Sequence, residues 1–205
     1  MFENYEKYLA FLNEKLQKFF ESQKPFIFCH KGCAKCCKNA QFPYSLLEIR
    51  YLLAGFLKLD KETQDKIEEN LQTIVKKKKK FRGKIFKYEC PFLIDDVCSV
   101  YEYRGVICRT FGLMTNTLEQ KLRAPFCYEK GLNYSNVMNI RTRKISPRKY
   151  KKLGVKEEPL GFNVSYKFLT DRSFEEDFNI RFGEVKPLIN WFLDEVEGVD
   201  NNMLD

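Results

Sequence analysis

The sequence is poor in the residues on which most catalytic motifs rely. Among 205 residues there is one histidine, so an H-E-x-x-H metalloprotease motif is excluded and a Ser-His-Asp triad would have to use His30. Its ten glycines never stand one residue apart. That removes the G-x-G of a dinucleotide or methyl-donor loop, and no G-x-x-x-x-G-K-[ST] phosphate loop occurs either. No window of about 18 residues is both apolar and uncharged, so no membrane span is expected. The opening stretch MFENYEKYLAFLNEKLQKFF scatters Glu and Lys through its apolar positions and lacks the features of a secretory signal. The expected location is cytoplasmic. There is no internal repeat and no linker rich in Gly or Ser.

What is abundant is thiol, aromatic and positive charge. Hydrophobic residues make up 44% of the chain and aromatics 15%, too much for a disordered polymer. The length suits a single domain over residues 1–205 with a core of its own. The net charge of +8 is local: residues 75–88 and 141–156 each hold eight Lys or Arg and no acid, and the rest of the chain is net acidic.

Periodicity predicts a mainly α fold with minor β, a compact helical domain with an irregular cysteine-rich middle. Tyr5, Leu9, Leu12, Leu16 and Phe19 form the stripe of an N-terminal helix over residues 2–22. Ser45 and Glu48 form a capping box for a helix to about Leu57, and Asp60 caps another over 61–80 with Ile67, Leu71 and Ile74 as its buried edge. Ser99 and Glu102 read as a second capping box on a short helix that Gly105 stops. Alternation over Phe162–Phe168 suggests a strand, and Leu188, Trp191, Phe192 and Val196 suggest a closing helix over about 184–197.

Eight cysteines in a chain expected in a reducing compartment point to metal or redox chemistry more than to disulfides. Four of them fall in CHKGCAKCC, Cys29 to Cys37. Thiolates two or three residues apart turn back onto one ion, as Cys29, Cys33 and Cys36 are spaced to do. Cys36 and Cys37 are expected to diverge, because neighbouring side chains do so in helix and strand. Adjacent cysteines then make sense if Cys90, Cys98, Cys108 and Cys127 fold back onto the first group. Eight thiolates suit two tetrahedral sites, a bridged pair of ions, or one [4Fe-4S] cluster with four sulfurs left over. His30 is an alternative fourth ligand of a Cys3His zinc site. The C-x3-C-x2-C run also has the cluster spacing of radical enzymes that cleave S-adenosylmethionine, but Lys35 stands where those carry an aromatic residue, and no βα repeat accompanies it.

CHKGCAKCC together with CPFLIDDVCSVYEYRGVICRTFG resembles the YkgJ-like cysteine-cluster family, a zinc- or iron-chelating domain with a C-x-x-C-x-x-C-C run and eight cysteines in all. The matching positions of the second block are Cys90, Pro91, Phe92, Leu93, Asp95, Cys98, Ser99, Val100, Tyr101, Glu102, Arg104, Cys108 and Arg109. Three departures stand out: the first spacer has three residues, Ala34 replaces a usual glycine, and Gly105 replaces a proline. The resemblance covers about residues 26–130 and implies a metal centre made by Cys33, Cys36, Cys37, Cys90, Cys98 and Cys108, with Cys29 and Cys127 as further ligands. The cofactor it implies is zinc or an iron-sulfur cluster.

No reaction is implied. A flagellin lysine N-methylase, a larger protein, carries a similar cysteine block, which makes an iron-sulfur-dependent protein-modifying enzyme or a redox catalyst the first alternative. Arg104 and Arg109, flanking Cys108, are read as bracing the metal loop through Glu102, Asp95 or Asp96. A nucleic-acid-binding module with structural zinc is a weaker alternative, because Phe81 and Phe86 alone do not make the interleaved stacking surface such modules need. No membrane partner is expected, and no protein partner is indicated.

Overall fold

The computed structural model describes residues 2–30, 32–39, 41–116 and 121–193. In chain order the elements are helix α1 (Glu3–Ser22), strand β1 (Pro43–Ser45), α2 (Leu46–Phe56), α3 (Lys61–Lys80), the strand pair β2 (Leu93–Ile94) and β3 (Val97–Cys98), and α4 (Val106–Thr110). There follow β4 (Thr115–Asn116), β5 (Leu122–Arg123), α5 (Pro147–Leu153), α6 (Tyr166–Leu169), α7 (Arg172–Phe178) and β6 (Val185–Pro187). The protein is mainly α with minor β. Among the described residues no helix is long and apolar enough to cross a membrane.

Contacts divide the chain into two units, Met1–His30 with Arg109–Ile180, and Lys31–Cys108 with Arg181–Asp205. In the first, α1 buries Tyr5, Tyr8, Leu9, Leu12 and Leu16, the stripe expected from the sequence apart from Phe19. Tyr8 packs its ring edge-on to Phe178 of α7 at 5.4 Å and donates its hydroxyl hydrogen to the Leu169 carbonyl. A separate cluster of Phe26, Met114, Tyr128, Tyr134, Val137 and Met138 fills the rest of that unit.

In the second unit β1 pairs antiparallel with β6, Tyr44 opposite Lys186. The core beneath joins Ile49 and Leu52 of α2 to Ile67, Ile74 and Val75 of α3 and to Leu188, Ile189, Trp191 and Phe192, with Cys90, Cys98 and Cys108 packed against it. α2 starts at the capping box foreseen: Glu48 N–H donates to Ser45 Oγ, and Ser45 N–H to Glu48 Oε2 at 2.9 Å. α3 starts at Asp60, which accepts from Thr63 N–H at 2.9 Å. Its run of lysines falls at the C-terminus, where the helix dipole favours positive charge.

Glu48 reaches further than its own helix. Its second oxygen, Oε1, accepts from Val106 N–H at 2.9 Å, at the first residue of the helix that carries Cys108. Gly105 lets this happen, since an added Cβ would stand 2.8 Å from the Tyr44 ring and 2.9 Å from Glu48 Oε1.

Three expectations are corrected. Ser99 does not cap a helix: its Oγ and its N–H both donate to the Phe92 carbonyl, so Tyr101–Tyr103 is a single 3-10 turn without a side-chain cap. Phe162–Phe168 is not a strand, because Ser165 caps α6 and Phe162 alone bridges to Thr115. The closing helix does not begin at 184, because Val185–Pro187 pairs with β1 and Leu188–Phe192 continues as a 3-10 turn; its remaining turns, with Val196, lie outside the described residues.

Removing the Glu48 carboxylate leaves the buried N–H groups of Ser45 and Val106 without an acceptor. Glu48→Ala is expected to cost about 2–5 kcal/mol in urea unfolding, and Glu48→Gln, which keeps one carbonyl acceptor, to cost less.

Candidate metal centre

The first cysteine group turns through two left-handed residues, Gly32 at φ 83° and Ala34 at φ 47°. Glycine takes that conformation freely, whereas an alanine pays about 1–2 kcal/mol for it, so the departure at Ala34 adds strain to the loop. The turn carries Cys33, half-buried, and delivers Cys36 and Cys37 at the start of a short 3-10 segment, Cys37–Asn39.

Here the expected divergence of Cys36 and Cys37 fails. Their sulfurs stand 3.9 Å apart, because Cys36 lies in a turn and Cys37 opens a 3-10 segment, so neither α-helix nor strand geometry applies. An ion with metal–sulfur bonds of about 2.3 Å in a tetrahedron separates its sulfurs by about 3.8 Å. The pair therefore fits one ion.

The second group is brought to the first by backbone. Cys90 N–H donates to the Cys37 carbonyl at 2.8 Å. From Cys90 the chain enters β2, turns at Asp95 and Asp96, both left-handed at φ 48° and 61°, and returns as β3. Two left-handed residues make the tight hairpin whose twist suits the strands. It places Cys98 opposite Leu93. Asp96 is held by an ion pair to Lys38, which ties the hairpin tip to the first cysteine loop.

Cys108, on α4, lies 3.3 Å from the Tyr44 hydroxyl, which also accepts from Gly105 N–H at 3.2 Å. Tyr44 and Glu48 are the two residues that the sequence reading missed. Their positions around the capping Ser45 were visible in the sequence, but nothing there pointed them at Cys108.

The electrostatics show that five sulfurs feel one another. A hydrogen bond with Cys37 holds Cys36 well below the usual thiol range, at about 7. The same bond, burial, and the charges of Cys36, Cys90 and Cys108 hold Cys37 far above it. Burial pushes Cys90 up, helped by Cys108, Cys98 and Cys36. Cys108 is pushed up to about 12, by burial first, against the lowering effect of the Tyr44 hydrogen bond. The structure thus gathers Cys36, Cys37, Cys90, Cys98 and Cys108, with Cys33 on the adjoining loop. Among the described residues no three His, Cys, Asp or Glu side chains stand as a finished metal site.

Cys29 and Cys127 belong to the first unit. Cys29 is exposed and Cys127 buried. Cys29 N–H and Phe28 N–H both donate to Asn133 Oδ1 at 2.8 Å, and Asn133 Nδ2 donates to the Gly112 carbonyl. Cys127 lies in the 3-10 turn Phe126–Lys130. His30 is exposed, with Nδ1 3.1 Å from the Phe28 carbonyl. Arg104 lays its guanidinium 3.5 Å from the centroid of the Tyr101 ring and donates to the Tyr101 carbonyl. Arg109 donates to Asn13 at 3.2 Å.

Residues 28–128 match a family model, CxxCxxCC, described as "Putative zinc- or iron-chelating domain". That stretch, just under half of the chain, is similar to the CxxCxxCC family. The match supports metal binding by these residues, and zinc and iron are the metals it names. No curated protein and no solved structure matches the chain. All eight cysteines fall inside the matched stretch.

Thiols bind metal only as thiolates. Since Cys37, Cys90 and Cys108 are held protonated at neutral pH, metal uptake by the metal-free protein is expected to release on the order of two or three protons per ion. Affinity should then rise as pH rises, because the protons that compete with the metal are lost. Calorimetry in buffers of different ionisation enthalpy measures the release directly.

Proposed function

We propose that the protein is a thiolate metal binder whose centre is assembled by Cys36, Cys37, Cys90, Cys98 and Cys108, with Cys33 carried to it on the loop between Gly32 and Ala34. The observation that carries this reading is the 3.9 Å separation of the Cys36 and Cys37 sulfurs beside the backbone bond from Cys90 to Cys37. A pair already at the spacing of two ligands on one ion needs further sulfurs; Cys90 and Cys108 bear electrostatically on Cys37, and Cys98 on Cys90 and Cys108. Cys36, ionised near neutral pH, supplies the first thiolate. Cys37, Cys90 and Cys108 would have to give up their protons to hold an ion there.

The donor set is all sulfur, which suits zinc and iron equally. Bound zinc would close and brace the loops. Iron, alone or in a cluster with sulfide, would add a redox-active centre. Within this chain the supporting roles fall to Tyr44, which bonds to Cys108, and to Glu48, which holds the backbone just before it. Outer partners of this kind orient metal ligands and tune them. The eight thiols suit a reducing compartment such as the cytoplasm.

Elemental analysis with a visible spectrum on protein purified without oxygen separates the metals. Iron with sulfide and a broad band near roughly 400 nm marks a cluster, and colourless zinc marks a closed site. Either metal should be lost from the Cys36→Ser, Cys90→Ser double variant; full metal content in that variant would sink the assignment.

A further inference from the structure

The basic segment that ends α3 carries none of the cysteines assigned to the metal centre. Of its eight cations over residues 75–88, seven are exposed and Lys78 is half-covered. Lys78 is covered by rings: its Nζ stands 5.4 Å from the Phe86 centroid and 6.0 Å from that of Phe81. Phe81 and Phe86 are 5.2 Å apart, and Phe86 and Tyr88 are 5.6 Å apart at 26°. The fold thus makes a ladder of three aromatics that the sequence shows only as scattered positions. Its outer end, Phe81, is 36% exposed, and Tyr88 at its inner end is 7% exposed.

Next to the ladder lies a cavity of about 260 Å³. Pockets for drug-sized ligands run from about 300 to 1,000 Å³, so this one admits a single ring system. Phe86 and Ile74 give it an apolar wall, Thr73 and Asn70, whose amide also donates to the Pro91 carbonyl, supply hydrogen-bonding side chains, and Lys77 and Lys87 line it too. Glu89 also lines it, and Cys90 of the candidate metal centre borders it. A carboxylate there repels a phosphate and accepts from the exocyclic amino group of a base. The cavity therefore suits the base and the outer lysines suit the phosphates.

A planar ring with polar edges, repeated along a polyanion, is what aromatic walls and a file of cations recognise together. A duplex would offer its phosphates but keep its bases stacked inside. An anionic membrane would meet the lysines but leave the cavity unfilled. We propose that the lysine-rich end of α3 with the Asn70–Phe86 cavity binds single-stranded nucleic acid, one base seated in the cavity and its neighbouring phosphates on the lysines around it.

The test is fluorescence anisotropy of the full chain with a labelled oligodeoxycytidylate of about 20 nucleotides, long enough for one site of this kind. Plotted as log affinity against log salt, binding should fall with a slope of about −0.7 for each phosphate contacted, and changing Lys76, Lys77, Lys79 and Lys80 to Ala should flatten that slope by up to about 3. Phe86→Leu should weaken binding about tenfold with the slope unchanged. If circular dichroism shows that this variant unfolds, Phe81→Leu, which lies outside the cavity lining and removes the ring packed on Phe86, should weaken binding less, again with the slope unchanged. Metal content should be equal in all variants that bind less. The proposal is overturned if the oligonucleotide does not bind at low salt, if a duplex of equal length binds as well and both Phe variants are silent, or if only vesicles containing phosphatidylserine are bound.

Discussion

A single buried carboxylate organises the unit that carries six of the eight cysteines. Glu48 is 1% exposed and divides its two oxygens between tasks: one closes the cap of α2 on Ser45, the other holds the N–H that opens α4. Leaving either N–H without a partner in the interior is costly, so the two helix starts are fixed to one another through one side chain. Cys108 inherits its place from that constraint, and Tyr44, directly before the cap, is set against the sulfur. The same geometry explains why position 105 is glycine, since the Tyr44 ring and the Glu48 carboxylate occupy the space a side chain would need.

Around that fixed point the other sulfurs are placed mostly by backbone. A main-chain hydrogen bond sets Cys90 beside Cys37, and a hairpin of four strand residues and two left-handed aspartates sets Cys98. Backbone placement tolerates the varied side chains between the cysteines. Burial and the charge of neighbouring sulfurs keep Cys37, Cys90 and Cys108 neutral.

Where the chain spelled its structure in local chemistry, the sequence was readable. The starts of α2 and α3 are written in Ser45, Glu48 and Asp60, and the stripe of α1 in its apolar spacing. Reading failed where a residue answered to a distant partner. Ser99 looked like a cap, but the Phe92 carbonyl competes for its hydroxyl; Val185–Pro187 looked helical, but β1 offers it a strand partner. The cysteines followed the same division. Their grouping could be read from spacing, and the extent of the matched stretch, expected at about residues 26–130 and found at 28–128, from the family resemblance. The approach of Cys36 to Cys37 could not, because it depends on a turn that local propensity does not encode, and the ring ladder at Phe81, Phe86 and Tyr88 depends on how the loop after α3 folds back.

The pairing of β1 with β6 also sets an order of events during synthesis. Trp191 donates its indole N–H to the Tyr44 carbonyl at 3.0 Å, and β6 lies along the strand that holds Tyr44. Every cysteine precedes these residues in the chain. A growing polypeptide therefore presents all eight thiols to the ribosome exit and its surroundings before the segment that covers Tyr44 has been made, and the second unit completes itself only after the whole of the first has been translated.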